Sequence, residues 1–161
     1  MVLSCLLLVG CGATGQPADA SSPAPVSTPT TSPSTTPQAS PRIALSVRAS
    51  RYGEVIADGS GRVLYLFDLE RDGVPKCYGG CAVSWPPMPA PPSPVAGASL
   101  DQASIAIAIR TGGSRQLVYN GHPLYYYVGD HAPGEIKCQA AVEYGGGWYV
   151  IDPHGNKITA S

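Results

Sequence analysis

The sequence predicts an all-β fold: a single small domain of two similar antiparallel β-hairpin-based repeats, sandwich- or barrel-like, preceded by a disordered tether. Three observations carry this. Short runs rich in Val, Ile, Leu and Tyr alternate with Gly, Asp and Asn from Ala44 onward, with no long helical period. Residues 63–87, VLYLFDLERDGVPKCYGGCAVSWPP, have a looser copy of their first half, PLYYYVGDHAPGEIKC, that begins at Pro123 and leads to Trp148. Finally, Pro, Ser and Thr crowd the chain before Pro41, which leaves about 120 residues for a core, the size of one small domain.

Residues 1–10 read as a lipoprotein signal segment. The stretch MVLSCLLLVGC is too short and too interrupted to span a bilayer, which needs roughly 20 apolar residues. Leu8-Val9-Gly10-Cys11 resembles the bacterial lipobox, which implies cleavage before Cys11 and acylation of that cysteine with fatty acids such as palmitate. The segment lacks the Lys or Arg of a signal n-region, so the true start codon is expected upstream. Residues 11–41 then form a Pro/Ser/Thr-rich linker with one charge, Asp19. Too little apolar surface is available there to offset the entropy of ordering, so the linker is expected to stay extended and solvated. At ~3.1 Å per residue it would hold the domain up to ~90 Å from a membrane.

The β-domain is expected over 42–161. Its first runs are 44–49, 53–57 and 62–68, with Asp58-Gly59-Ser60-Gly61 turning the second into the third. Both faces of the third run are apolar, Val63, Tyr65 and Phe67 on one and Leu64 and Leu66 on the other, as in a central strand. One short helical turn is expected over 81–85. The six prolines of 86–94 remove backbone donors, so this stretch is expected to be a rigid connector without regular structure. Beyond it, 105–109 alternates large and small residues, as a strand with one tightly packed face would. Asn120-Gly121 marks a hairpin between 116–119 and 123–128, and a last pair, 148–152 and 157–159, flanks 153–156.

The repeats, about 46–87 and 104–158, share an aromatic-x-aromatic-x-x-acid pattern: Tyr65, Phe67 and Glu70 in the first, Tyr125, Tyr127 and Asp130 in the second. Together with Trp85 and Trp148, these residues resemble the bacterial secreted-repeat lipoproteins with a Y-x-(F/W/Y)-x-x-D motif, a family of unassigned molecular function. The chain departs from that pattern at Glu70, where the motif has aspartate, and at Cys138, where the second repeat usually carries glycine. The acids fall just past a strand end, where a carboxylate accepts from nearby backbone N–H groups, and Gly73 and Gly134 with their neighbours are the expected donors. The alternative is a pair of acidic turns coordinating a hard cation such as calcium. Trp85 and Trp148 read as packing anchors, with an aromatic groove for glycan or peptide as the competing reading.

With Cys5 removed and Cys11 lipidated, Cys77, Cys81 and Cys138 remain in an oxidising compartment. A Cys77–Cys81 disulfide around Tyr-Gly-Gly is preferred and Cys77–Cys138 is the alternative; either leaves an odd thiol. A redox or soft-metal site, for copper or haem, would draw on Cys77, Cys81 and Cys138 with Met88 or His131. His122, His131 and His154 lie in predicted turns and read as solvated. All ten Lys and Arg, and all of the eleven Asp and Glu except Asp19, lie beyond residue 41, so the folded part is formally neutral and has no basic stripe for nucleic acid. Enzyme signatures such as G-x-S-x-G, H-E-x-x-H or a phosphate-binding loop are missing from the sequence. The expectation is therefore a non-enzymatic lipoprotein without a cofactor, anchored by acylated Cys11 on the extracytoplasmic side of a bacterial cell membrane. Its role would be binding or cell-envelope interaction, with an envelope protein or glycan as partner.

Overall fold

Nine short strands, one α-helical turn and one 3₁₀ turn make up residues 43–160, the part of the chain that the computed structural model describes. The signal segment, Cys5, Cys11 and the linker lie outside the described residues. Strands β1 (Ile43–Ser50) and β2 (Gly53–Asp58) form an antiparallel hairpin, in register from Leu45 opposite Asp58 to Ser50 opposite Gly53. The expected turn at 58–61 follows: the Gly61 N–H donates to Asp58 O, Asp58 Oδ1 accepts from the Ser60 and Arg62 amides, and Ala57 bridges Val63. β3 (Tyr65–Phe67) is buried at every position, as two apolar faces demand.

A helical turn, α1 (Gly80–Ser84), carries the second cysteine. β4 (Val95–Ala96) then runs parallel to β1, and a 3₁₀ turn (Gln102–Ser104) leads into the hairpin of β5 (Ile105–Ile109) and β6 (Arg115–Tyr119). Asn120 and Gly121, with φ of 46° and 77°, occupy the left-handed region that a tight two-residue hairpin turn requires, and return the chain into β7 (His122–Pro123). β8 (Ala141–Glu143) and β9 (Gly146–Val150) close the fold. The strands make three three-stranded sheets, β2-β1-β4, β3-β9-β8 and β5-β6-β7.

The two repeats are not side by side; they are interleaved. The β1–β2 hairpin corresponds to β5–β6, and 63–67 corresponds to 123–127. At the join, Tyr65 and Tyr125 exchange backbone hydrogen bonds of 2.9 and 3.0 Å. The strand after each tryptophan then pairs with the other repeat. Val150, two residues past Trp148, lies opposite Tyr65, and Pro87, two residues past Trp85, lies opposite Tyr125. One residue further on, Ile151 O accepts from Ile56 N and Met88 O accepts from Leu117 N, both at 2.9 Å.

This exchange corrects the expectation for 86–94. The Pro-rich stretch is not an unpaired connector: Met88 N–H donates to Leu124 O, Ala90 N–H donates to Arg115 O, and Pro89 bridges Gln116. Proline alternates here with residues that keep their N–H. The missing donors of Pro87 and Pro89 fall on the side that needs none, which is how an edge strand tolerates proline. A second correction concerns β5. None of its large residues is fully buried and Ile109 is 63% exposed, because the strand lies at a sheet edge.

Two buried clusters form the core. One gathers Leu45, Ile56, Leu64, Leu66, Met88, Leu117, Tyr119, Leu124 and Ile151. The other holds both tryptophans, the Cys77–Cys81 disulfide, Tyr65, Phe67 and Tyr125. Trp85 and Trp148 stack at 4.1 Å between centroids with planes 6° apart, and Phe67 stacks on the other face of Trp148 at 4.3 Å. The packing-anchor reading of the tryptophans is the one the structure bears out. Truncating a buried aromatic of this kind costs about 3–5 kcal/mol. Trp148→Ala should lower the unfolding free energy by that amount in a denaturant titration, whereas Val142→Ala, at a site 78% exposed, should change it by about 0.5 kcal/mol or less.

Candidate functional site

The motif residues converge where the repeats meet, and each tyrosine answers the acid of the opposite copy. The Tyr65 hydroxyl donates to Asp130 Oδ2 at 2.7 Å, and the Tyr125 hydroxyl donates to Glu70 Oε1 at 3.0 Å. Both tyrosines and Glu70 are fully buried and Asp130 nearly so. β3 and the segment after β7 deliver the phenols side by side through the Tyr65–Tyr125 backbone pair. Each acid then lies three residues beyond the second motif aromatic, in the turn that follows the strand, within reach across the join.

Each carboxylate also caps its own turn. Glu70 Oε1 accepts from the Lys76 amide and, at 2.9 Å, from the Cys77 amide; Asp130 Oδ1 accepts from the Lys137 amide at 3.0 Å. The lysines repeat the correspondence, Lys76 Nζ donating to Leu69 O at 2.7 Å and Lys137 Nζ to Gly129 O at 3.0 Å. The expectation that Gly73 and Gly134 donate to the acids is corrected. Their N–H groups donate instead to Gly121 O and Gly61 O, both at 2.8 Å, so each glycine ties its turn to the hairpin turn of the other repeat.

Burial dominates the electrostatics. It pushes both phenols far above their ordinary value of 10.0, helped by the neighbouring carboxylates, so the hydroxyls stay protonated and act as donors. It also raises Glu70 and Asp130 above the usual carboxyl range, against the opposing pull of their hydrogen bonds. Glu70 is the more exposed of the two to this conflict, since its Oε2 is buried with no hydrogen-bond partner. Arg110, also buried, faces the same corner: it donates to Gln116 Oε1 and to Cys77 O, and its guanidinium lies 4.3 Å from the Tyr78 ring centroid.

Sequence reasoning missed Arg110, Gln116 and Glu143. Glu143 ties both indoles in place, its Oε2 accepting from Trp85 Nε1 at 2.8 Å and its backbone O from Trp148 Nε1 at 3.2 Å. No motif flags these residues; only the alternation Ala141-Val142-Glu143, which turns Glu143 toward the side shared with Ala141, hints at one of them. Tyr127 packs on Trp85 at 4.8 Å, where Phe67 packs on Trp148 in the other half.

The preferred Cys77–Cys81 bond is present, with Cα atoms 5.3 Å apart, and Cys138 is a half-buried free thiol whose pKa burial pushes up. Burial of this kind keeps the free thiol protonated near neutrality, which weakens it as a nucleophile. Of the other proposed soft ligands, Met88 belongs to the first core cluster, away from the cysteines of the second, and His131 is exposed. Among the described residues, no group of three or more His, Cys, Asp or Glu is placed to hold a metal. His122, expected to be solvated, is half-buried, and its Nδ1 donates to Glu70 O at 2.9 Å.

Residues 106–152 match a family model described as a secreted repeat of unknown function. No curated protein and no solved structure matches the chain. The match covers the second repeat, and the geometry above extends the same pattern to the first.

Two outcomes test the exchange. Tyr65→Phe and Tyr125→Phe each deprive a buried carboxyl of its phenol and should destabilise the domain by about 1–3 kcal/mol, read from chemical denaturation. A raised acid favours the folded state most when protonated, so its contribution is present in acid and is lost as pH rises through the folded pKa. Relative to Glu70→Gln, the wild type should therefore lose stability as pH climbs above 4.5, the ordinary glutamate value. The difference between the two proteins cancels groups such as Asp58 that are shifted the other way. A gap that is flat with pH would contradict the raised Glu70.

Proposed function

We propose that this chain, whose residues 106–152 match a secreted repeat of unknown function, is a lipid-anchored extracytoplasmic protein whose β-domain serves as a non-enzymatic binding module at the cell envelope. Cys11 bears the lipid, residues 12–41 act as the spacer, and the partner is an envelope protein or glycan. The observation that supports a binding role over catalysis is the state of the motif acids. Glu70 and Asp130 are sealed in the core and already engaged by Tyr125, Tyr65 and backbone amides, so neither is offered to a substrate. The motif is thus a structural device, and recognition falls to the surface around it. No helix among the described residues is long and apolar enough to cross a membrane, which is in keeping with an anchor outside the domain. A redox or copper- or haem-handling role for Cys77, Cys81 and Cys138 gains nothing from the geometry, with two of the three thiols joined and the third raised in pKa.

Cys11→Ser should move the protein from the membrane to the soluble fraction on cell fractionation, and unchanged membrane retention would refute the lipid anchor. The soluble Cys11→Ser chain should then co-sediment with isolated envelope material. Failure to do so would refute the binding role independently of the anchor.

A further inference from the structure

The two repeats differ at one place where the near-symmetry leaves a hole. In the first hairpin turn, Asp58 and Arg62 receive Tyr126 from the other repeat: its hydroxyl donates to Asp58 Oδ2 at 2.9 Å, and the Arg62 guanidinium lies 4.2 Å from its ring centroid. The corresponding positions across the join are Tyr119, His122 and Leu66. Leu66 ends where Tyr126 continues into a ring, and Tyr119 turns its hydroxyl away to Pro153 O at 2.8 Å. What remains is an open pocket of about 270 Å³, lined by Leu66, Asp68, Arg71, His122, Asn156 and Lys157 among others. Its remaining wall is built by the closing turn of the chain. A Cβ on Gly155 would overlap the Asn120 Cβ, and Asn120 Nδ2 donates to His154 O at 3.1 Å, so the two turns meet without a side chain between them.

The lining groups define the ligand. Lys157 Nζ pairs with Asp68 Oδ2 at 3.4 Å, which cancels one charge of each sign. Arg71 makes no ion pair or side-chain hydrogen bond among the described residues and leaves the pocket with one unmatched positive charge. Acceptors are present as well. Because His122 donates through Nδ1 to a carbonyl, its Nε2 is the bare, accepting nitrogen, and burial keeps the ring below its ordinary value of 6.5. Asp68 adds carboxylate lone pairs beyond those that take the Gly147 amide on Oδ1 at 2.8 Å and Lys157 on Oδ2. An inorganic anion such as sulfate has no proton to give His122 Nε2 and would leave it unanswered, whereas a sugar acid offers hydroxyl donors and one carboxylate together.

We propose that this pocket binds a monosaccharide-sized hydroxylated carboxylate, a uronic acid either free or at the end of a glycan, with its carboxylate on Arg71 and its hydroxyls on His122 and Asp68. This rests on the reading of the domain as an envelope-binding module. The test is calorimetric titration of the full Cys11→Ser chain with D-glucuronate, with a glucuronate-terminated disaccharide, and with D-glucose and sulfate as controls. Glucuronate should bind with a Kd of about 1 mM, the range for a ligand of this size. D-glucose should bind at least tenfold more weakly and sulfate should give no saturable heat. Arg71→Ala should weaken glucuronate tenfold or more, and Leu66→Tyr, which supplies the ring that Tyr126 supplies across the join, should abolish binding. Arg71 is exposed, so its variant should keep the wild-type melting temperature, and the result stands even if Leu66→Tyr fails to fold. Binding of the disaccharide as well as the monomer would identify a glycan end, and binding of the monomer alone would identify the free acid. Sulfate binding as tightly as glucuronate, glucuronate binding unaffected by Arg71→Ala, or no glucuronate binding at all would overturn the proposal. If the chain still co-sediments with envelope material in those cases, the pocket assignment alone has failed; if it does not, the binding role has failed with it.

Discussion

Each repeat caps its own buried acid with backbone amides, but the phenol that each acid accepts from belongs to the other copy. Tyr65 serves Asp130 and Tyr125 serves Glu70, and the Tyr65–Tyr125 backbone pair holds the two phenols at the distance that makes both bonds possible at once. The Trp85–Trp148 stack, the crossing of the strands after each tryptophan, and the ties from Gly73 and Gly134 to the opposite hairpin turns all follow from bringing these two strands together. A carboxyl buried without its partner carries a desolvation penalty of roughly 1–3 kcal/mol or more, so the exchange binds the repeats into a single cooperative unit and opposes their separation.

Much of this architecture was legible because it is written locally. Asn120-Gly121 and Asp58-Gly59-Ser60-Gly61 reverse the chain through their own backbone preferences, the two-faced apolar run at 63–67 announces a central strand, and the glycines between Cys77 and Cys81 permit a short disulfide loop. The partners across the join were not legible, because nothing in a run of residues records which distant run it faces. The local pattern therefore points to Gly73 and Gly134 rather than to the phenols that the acids engage, and Arg110, Gln116 and Glu143, single polar residues in or beside strands, carry no signal. The Pro-rich segment misled for a different reason: proline forbids donation only from its own nitrogen, and Met88 and Ala90 donate in between.

The shared motif and the differences between the copies divide the work. Features repeated in both halves, the phenols, acids, capped turns and lysine-to-carbonyl bonds, are engaged inside the fold. Features found in one half only are the disulfide, the free thiol at Cys138, buried Arg110, and Leu66 standing where the other half has Tyr126. A duplicated scaffold is free to vary where the symmetry does not need it, and the pocket beside Arg71 lies at such a position.

The exchanged strands also make the pairing of β3 depend on residues near the end of the chain. β3 waits for residues 148–151, so its flank stays open until almost the last residues of the chain have arrived. Contacts spanning more than eighty residues close slowly, which keeps the first repeat from sealing itself early. For an exported chain of the kind proposed above, late closure would leave the first repeat without its pairing partner until residues 148–151 had followed it across.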